Sequence, residues 1–258
     1  MTADITPSLP SGITVAIATI GARINGIILP APTDGLRYEV LVQMPPDVLP
    51  INDRPDLRYT AINTRGLSHS RNSALTQCET PFLVFADDDM ELDVVGLKAL
   101  AAELARAPDL AFAAGWRAGR LPVTGPRAGA YRLRKLNAGR ICAPELMVCV
   151  APLRRHGITF DTRFGVGAEY PVGEDYIFTC DMLDAGLCGA AFPIVTGAHP
   201  HLSTGDNWHD AGLLVARRAV LSRCFGSAAV PVLLAYALRH RKHLGGWRDA
   251  WRFLTAKG

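Results

Sequence analysis

The sequence predicts an α/β protein: a mostly parallel central sheet flanked by helices, followed by a helical C-terminal extension. Three observations carry this expectation. Short apolar, β-branched runs alternate with segments of helical periodicity through the first half. One such segment, from Asp93 through Arg106, places Val94, Leu97, Leu100, Ala101 and Leu104 on a single face. Beyond Asp210 the pattern is wholly helical, with breaks near Gly226 and at Gly245-Gly246.

Ile13 to Ile20 (ITVAIATI) follows a Pro/Ser/Gly leader and reads as a buried strand. Gly21 ends it, and Ala22 to Leu29 is expected as a short helix. Tyr38 to Val42 is a second strand, stopped by Pro45 and Pro46, and Leu57 to Ala61 is a third. Ser68 to Cys78 has helical spacing at Ala74, Leu75 and Cys78, with Ser68 or Ser70 as its cap. After Pro81 comes the strand Phe82 to Ala86, then the helix capped by Asp93, then a strand from Leu110 to Ala114. Gly, Pro and Arg dominate from Gly115 to Gly139, which predicts an irregular or mobile loop. Glu145 to Val150 returns as a strand, and Gly157 to Gly173 is loop. Asp175 to Ala185 is an amphipathic helix ended by Gly186, and Leu187 to Val195 is the last strand. Leu213 to Phe225 and Val230 to Leu244 are helical. The expected division is residues 1–210 as the α/β domain, with halves at about 13–115 and 116–210, and residues 211–258 as the extension.

Composition narrows the class. The 258 residues include 27 Lys+Arg against 24 Asp+Glu, a net charge of +3, with 49% hydrophobic and 20% charged residues. That balance fits a globular protein and excludes disorder, collagen and a long coiled coil. The basic excess is too small to point to nucleic acid, and no nucleic-acid-binding module is recognisable. The charge is unevenly spread: acidic residues cluster mid-chain, and the segment from Ala211 onward is rich in Arg and Lys. The six cysteines contain no CxxC pair, which argues against a zinc ribbon or a redox motif. Met1 to Ser11 is polar and lacks a basic n-region, so no signal peptide is expected. No apolar run approaches the ~20 residues of a membrane span. A cytoplasmic protein with reduced cysteines is the expectation.

The chemistry concentrates at Asp87-Asp88-Asp89, where the strand Phe82 to Ala86 ends. In an open α/β sheet the carboxyl ends of strands hold the ligand. Three adjacent carboxylates repel one another and need a cation. Oxygen ligands suit a hard ion such as Mg2+ or Mn2+, commonly shared with nucleotide phosphates. A solvated turn with helix-capping aspartates is the other reading of such a triplet. A P-loop and the GxGxxG fingerprint are both absent.

The triplet has company. Upstream lies Gly66-Leu67-Ser68-His69-Ser70-Arg71-Asn72; downstream lie Phe160-Asp161-Thr162-Arg163-Phe164-Gly165, then Gly173-Glu174-Asp175, then His199-Pro200. In this order the segments resemble bacterial family-2 glycosyltransferases of the GT-A fold, over roughly Ile13 to Gly205. The resemblance implies an inverting transferase that uses a nucleoside diphosphate sugar and a divalent metal, Mn2+ or Mg2+. It implies that Asp87 and Asp88 contact the donor, that Asp89 and Asp87 coordinate the metal, and that His199 completes its shell. Thr19 and Arg23 match the first nucleotide-contacting turn, and Arg71 would sit near the base or phosphates. Asp175, with Glu174 beside it, matches the general base that takes a proton from the acceptor hydroxyl. Asn72 reads as a local structural hydrogen-bonder. Gln43 stands where many relatives carry a base-reading Asp, and is expected in the nucleotide-sugar site, hydrogen-bonding a base edge. The stretch from Ala118 to Arg140 has no match and is expected on the acceptor side or as a lid. Trp208 is a candidate sugar-stacking residue; His69, His201 and His209 are weaker metal candidates.

The resemblance further implies a saccharide or lipid-linked saccharide acceptor, in surface or extracellular polysaccharide assembly. Basic residues beside Trp247, Trp251 and Phe253 give the C-terminal helices two readings: a peripheral contact with the inner face of an anionic membrane, or an ordinary helical cap on the sheet. Two other functions stay open at this point. One is a sugar nucleotidyltransferase, whose usual glycine-rich opening Thr19 to Arg23 matches in only one Gly. The other is a catalytically silent saccharide-binding scaffold.

Overall fold

The computed structural model describes residues 12–199, 207–208, 210–244 and 246–255. A nine-stranded mixed sheet forms its centre. The strands are β1 (Ile13–Ile20), β2 (Leu36–Gln43), β3 (Leu57–Ile62), β4 (Phe82–Asp87), β5 (Glu91–Leu92), β6 (Leu110–Arg117), β7 (Tyr131–Arg132), β8 (Leu146–Cys149) and β9 (Cys188–Ala198). Their order is β3-β2-β1-β4-β8-β6-β9-β5, with β7 also paired to β9. β1, β2, β3 and β4 run parallel, as do β6 and β9, whereas β8, β5 and β7 are antiparallel to their neighbours.

The uninterrupted apolar runs are explained by two cores, one on each face of the sheet. Along β4, Leu83 and Phe85 face one core, and Phe82, Val84 and Ala86 face the other. Helix α1 (Leu67–Gln77) and helix α5 (Glu174–Asp184) cover the first face with Ala74, Leu75, Phe178 and Met182. Helix α2 (Val94–Arg106) covers the second with Leu97, Leu100, Ala101 and Leu104. The expected cap holds: the Asp93 carboxylate accepts from the Gly96 N–H at 2.9 Å.

Several expectations change. Ala22 to Leu29 forms only a 3-10 turn at Gly21–Gly26. Gly66, at φ 105°, caps α1 in place of Ser68 or Ser70, and both serines are buried inside the first turn. Glu145 to Val150 shortens to β8, because Val150 already opens helix α4 (Val150–Arg155). The Gly115–Gly139 stretch is partly ordered. β6 continues through Trp116, which is buried, and the chain returns to the sheet as β7 and then forms helix α3 (Lys135–Ala138). β7 and α3, of two and four residues, are too short for periodicity to reveal.

The C-terminal helices are α6 (Ala211–Phe225), α7 (Ala229–Arg239) and α8 (Trp247–Thr255). By length and composition Ala211–Arg239 would suit a membrane span, with a mean hydropathy of 1.5. Gly226, at φ 52°, instead folds it into two helices. Val220 and Cys224 of α6 pack on Ile177 and Cys180 of α5.

Helix α2 lies hard against β9. A Cβ on Gly96 would stand 1.7 Å from the Val195 carbonyl oxygen. Gly96→Ala must push helix and strand apart, and is expected to cost about 1–3 kcal/mol. Urea unfolding would show a lower midpoint; an unchanged midpoint would refute so close an approach.

Candidate functional site

The carboxyl ends of β1, β2 and β4 stand side by side: Ile20 pairs with Gln43, and Ala18 with Asp87. They open on a cleft of about 1040 Å³. Thr19, Arg23, Gln43, Arg71, Glu174 and Asp175 all border it, as do the three aspartates, His199 and Trp208. His69 does not. Pro200, His201 and His209 lie outside the described residues.

A buried guanidinium organises the cleft floor. Arg71 extends from α1 with only 3% of its side chain exposed. Its Nη1 donates to Asp175 Oδ1 at 2.6 Å and to Glu174 Oε1 at 3.1 Å, and its Nη2 donates to Asp87 Oδ1 at 3.4 Å. Three carboxylates therefore share one cation. Arg71 lies 5.5 Å over the Phe160 ring, which stacks on Phe178 at 3.9 Å, and Phe85 meets both rings edge-on. Two of its partners, Glu174 and Asp175, come from the start of α5, where Gly173 makes the entry possible. Gly173 has φ 94°, and a Cβ there would meet Val220 Cγ2 at 2.3 Å.

Burial pushes the Asp175 carboxyl up to about 8; Arg71 opposes the rise, while Glu174 and Asp87 add to it, and the Ala143 N–H also lowers it. For Arg71 burial acts downward, but Asp175, Glu174 and Asp87 outweigh it and its pKa rises.

The three aspartates diverge in environment. Asp88 accepts from Thr19 Oγ1 at 2.6 Å and pairs with Arg23 Nη2 at 2.5 Å. Burial raises its pKa against the pull of Thr19 and Arg23. Asp87 turns to Arg71. Asp89 faces His199, with Oδ1 3.2 Å from Nε2. Gln43 is committed to its own fold: Nε2 donates to Gly66 O at 2.7 Å and to Ser70 Oγ at 2.8 Å, and Oε1 accepts from the Gly66 N–H at 3.2 Å. Asn72 clamps α1 to the loop before α5 by exchanging two bonds with the Phe160 backbone, at 2.9 and 2.7 Å.

Among the described residues no group of three or more His, Cys, Asp and Glu side chains is arranged around a common metal position. Asp89 and His199 offer two donors, a hard oxygen and an imidazole. That set fits an ion whose remaining positions are filled by substrate phosphates and water.

Reading the sequence did not single out Arg117, Arg120, Arg127 and Arg140, all on the cleft. The available signal was the stretch Gly115–Arg140, with seven cationic side chains and no acidic one.

The raised Asp175 pKa carries a stability consequence. The folded protein keeps a proton that the unfolded chain loses near its ordinary value of 3.8, so this group's contribution to stability falls as pH rises from there to about 8. Asp175→Asn removes that loss. Urea midpoints of variant and native chain, compared at pH 5 and pH 8, are expected to diverge in the variant's favour at the higher pH. Parallel pH dependence would show that Asp175 is charged throughout.

No protein-family model matches the chain, and no curated protein matches it in sequence. Solved structures do match in shape. S. aureus TarS 1-349 in complex with UDP has a TM-score of 0.61 at 17% identity, over 95% of this chain and 75% of that one. The mannosyltransferase PcManGT from Pyrobaculum calidifontis, in complex with GDP-Man and Mn2+, has a TM-score of 0.59 at 17% identity, over 98% and 77%. Glucosyl-3-phosphoglycerate synthase from Mycobacterium tuberculosis, with Mn2+, UDP and glucosyl-3-phosphoglycerate, has a TM-score of 0.51 at 16% identity, over 83% and 80%. At these identities the likeness is one of fold: the chain has the GT-A fold, a mixed α/β architecture that it shares with these nucleotide-sugar transferases.

Proposed function

We propose that the chain is an inverting, metal-dependent glycosyltransferase. It would move a sugar from a nucleoside diphosphate sugar to a saccharide or lipid-linked saccharide acceptor in surface or extracellular polysaccharide assembly. One observation carries the reading: the Asp89–His199 pair and the Asp175 carboxylate border a single cleft in a GT-A fold. The fold alone is compatible with several chemistries, and this constellation supports the present reading.

In this reading Asp175 is the general base. The acceptor oxygen bonds to the anomeric carbon as the bond from that carbon to the donor diphosphate breaks. The electron pair of the broken bond leaves on the diphosphate, and the hydroxyl proton passes to Asp175. Attack from the face opposite the leaving group inverts the anomeric configuration. A base with its pKa near the working pH is suited to that transfer, and burial, with Glu174 and Asp87 alongside, provides the shift against the pull of Arg71. Glu174 shares Arg71 with Asp175 and holds it in place.

Asp89 and His199 would hold the divalent ion, with Asp87 as a further candidate ligand. A bound Mn2+ or Mg2+ neutralises charge developing on the leaving diphosphate. Thr19 and Arg23 fix Asp88 at the nucleotide end of the cleft. Gln43 shapes that end through Gly66 and Ser70.

We also infer peripheral attachment to the cytoplasmic face of an anionic membrane. Val230, Leu234 and Leu238, at helical spacing on α7, are 66%, 47% and 61% exposed, and Trp251 of α8 is 68% exposed. Arg241 and Lys242 are exposed just beyond the helix. An apolar stripe edged by cations suits an interfacial helix.

Two measurements test these proposals. In a nucleotide-sugar panel with Mn2+ or Mg2+, Asp89→Ala is expected to abolish metal-dependent donor turnover. Asp175→Asn is expected to slow transfer by about 100-fold or more while donor binding persists. Full activity in either variant removes the role given to that residue. In co-sedimentation with phosphatidylglycerol vesicles, the native chain is expected in the pellet at low salt and Leu234→Glu/Leu238→Glu in the supernatant. Equal partition of the two would sink the membrane contact.

A further inference from the structure

We propose that the acceptor is anionic, and that its phosphate or carboxylate group is met by a wall of arginines from residues 115–140. The inference rests on the glycosyltransferase reading above, whose cleft it shares.

The stretch Gly115–Arg140 holds seven cationic side chains and no carboxylate, although the whole chain is only +3. Two of the seven are neutralised by ion pairs outside the stretch: Arg132 pairs with Asp109, and Lys135 with Asp184. The four arginines that border the cleft are treated differently. Arg120 and Arg127 make no ion pair among the described residues. Arg117 and Arg140 share one carboxylate: Glu145 is 2% exposed and accepts from Arg117 Nε at 3.2 Å and from Arg140 Nη1 at 3.4 Å. Arg120 and Arg127 therefore carry the positive charge of the cleft wall, beside the Arg117–Glu145–Arg140 cluster.

Arg140 is rigidly placed. It stacks over Trp116 with Cζ 3.4 Å from the ring centroid, donates from Nε to the Tyr131 hydroxyl at 3.0 Å, and donates from Nη1 to Gly115 O at 3.1 Å. Its Nη2 is buried with no hydrogen-bond partner among the described residues. A buried donor without a partner is costly, and more so when charged. A ligand oxygen removes that cost. A guanidinium fork of fixed orientation is the usual recogniser of a phosphate or carboxylate.

The donor also carries phosphates, so the wall needs an assignment between the two substrates. In the glycosyltransferase reading, a divalent ion held by Asp89 and His199 would offset the charge of the donor's diphosphate at the acidic end of the cleft. Arg120 and Arg127 remain without a carboxylate among the described residues until a second anion enters. That second anion is the acceptor.

The test uses the full chain and inorganic phosphate as the anion probe. UDP and GDP are first titrated calorimetrically in Mg2+; phosphate is then titrated into protein saturated with the nucleotide that binds. The native chain is expected to bind phosphate, and Arg120→Ala/Arg127→Ala to bind it at least about tenfold more weakly at unchanged nucleotide affinity. Absent phosphate binding, or equal binding by the variant, overturns the wall. Loss of nucleotide affinity in a variant with native unfolding behaviour also overturns it, by assigning these arginines to the donor. A native chain that binds neither nucleotide but still binds phosphate fails the glycosyltransferase reading and leaves the anion site standing.

Discussion

The geometry of the cleft depends on one buried guanidinium. Arg71 reaches from α1 to the end of β4 and to the first turn of α5, tying together segments separated by about a hundred residues of chain. Loss of one partner from a buried ion pair typically costs several kcal/mol, because the remaining charge is left without compensation. Here one cation serves three carboxylates, so the cluster stays electronegative even when complete. Burial first, and the Glu174 and Asp87 charges second, lift Asp175 out of the ordinary carboxylate range against the pull of Arg71. The Phe160 ring, stacked on Phe178, lies under the Arg71 guanidinium and gives it an apolar floor.

Around this centre the cleft is electrically divided. Carboxylates gather at the ends of β4 and α5, and guanidiniums gather after β6. The net charge of +3 conceals this, because the sum cancels two local excesses that face the same space. A cleft built this way suits two ligands that differ in how their charge is handled.

The C-terminal helices belong to the same construction. Val220 of α6 fills the space beside Gly173, so α6 buttresses the turn that presents Glu174 and Asp175. Arg217 donates to the Asn207 carbonyl at 2.9 Å and lies 4.2 Å over the Trp208 ring, which stacks in turn on His240 of the turn after α7. Trp208, Tyr236 and His240 border the cleft. One side of α7 thus faces the cleft while Val230, Leu234 and Leu238 face outward.

By itself the sequence determined the layered α/β architecture, the main strands and helices, and the neighbourhood of the acidic triplet. Those features are local: a β-branched run, a 3.6-residue repeat or three adjacent aspartates can be read without knowing what lies across the fold. It also showed Glu174 and Asp175 at the start of a helix. Tertiary structure alone decided that Arg71 is shared by three carboxylates, that Asp88 turns to Thr19 and Arg23, and that Gln43 is occupied by Gly66 and Ser70. It decided too that antiparallel β8 enters the sheet, and that arginines from an apparently irregular stretch line the cleft. Each of these outcomes depends on burial and on partners distant in sequence. A charge reads the same on the page whether it is solvated or buried, and only packing sets its energy.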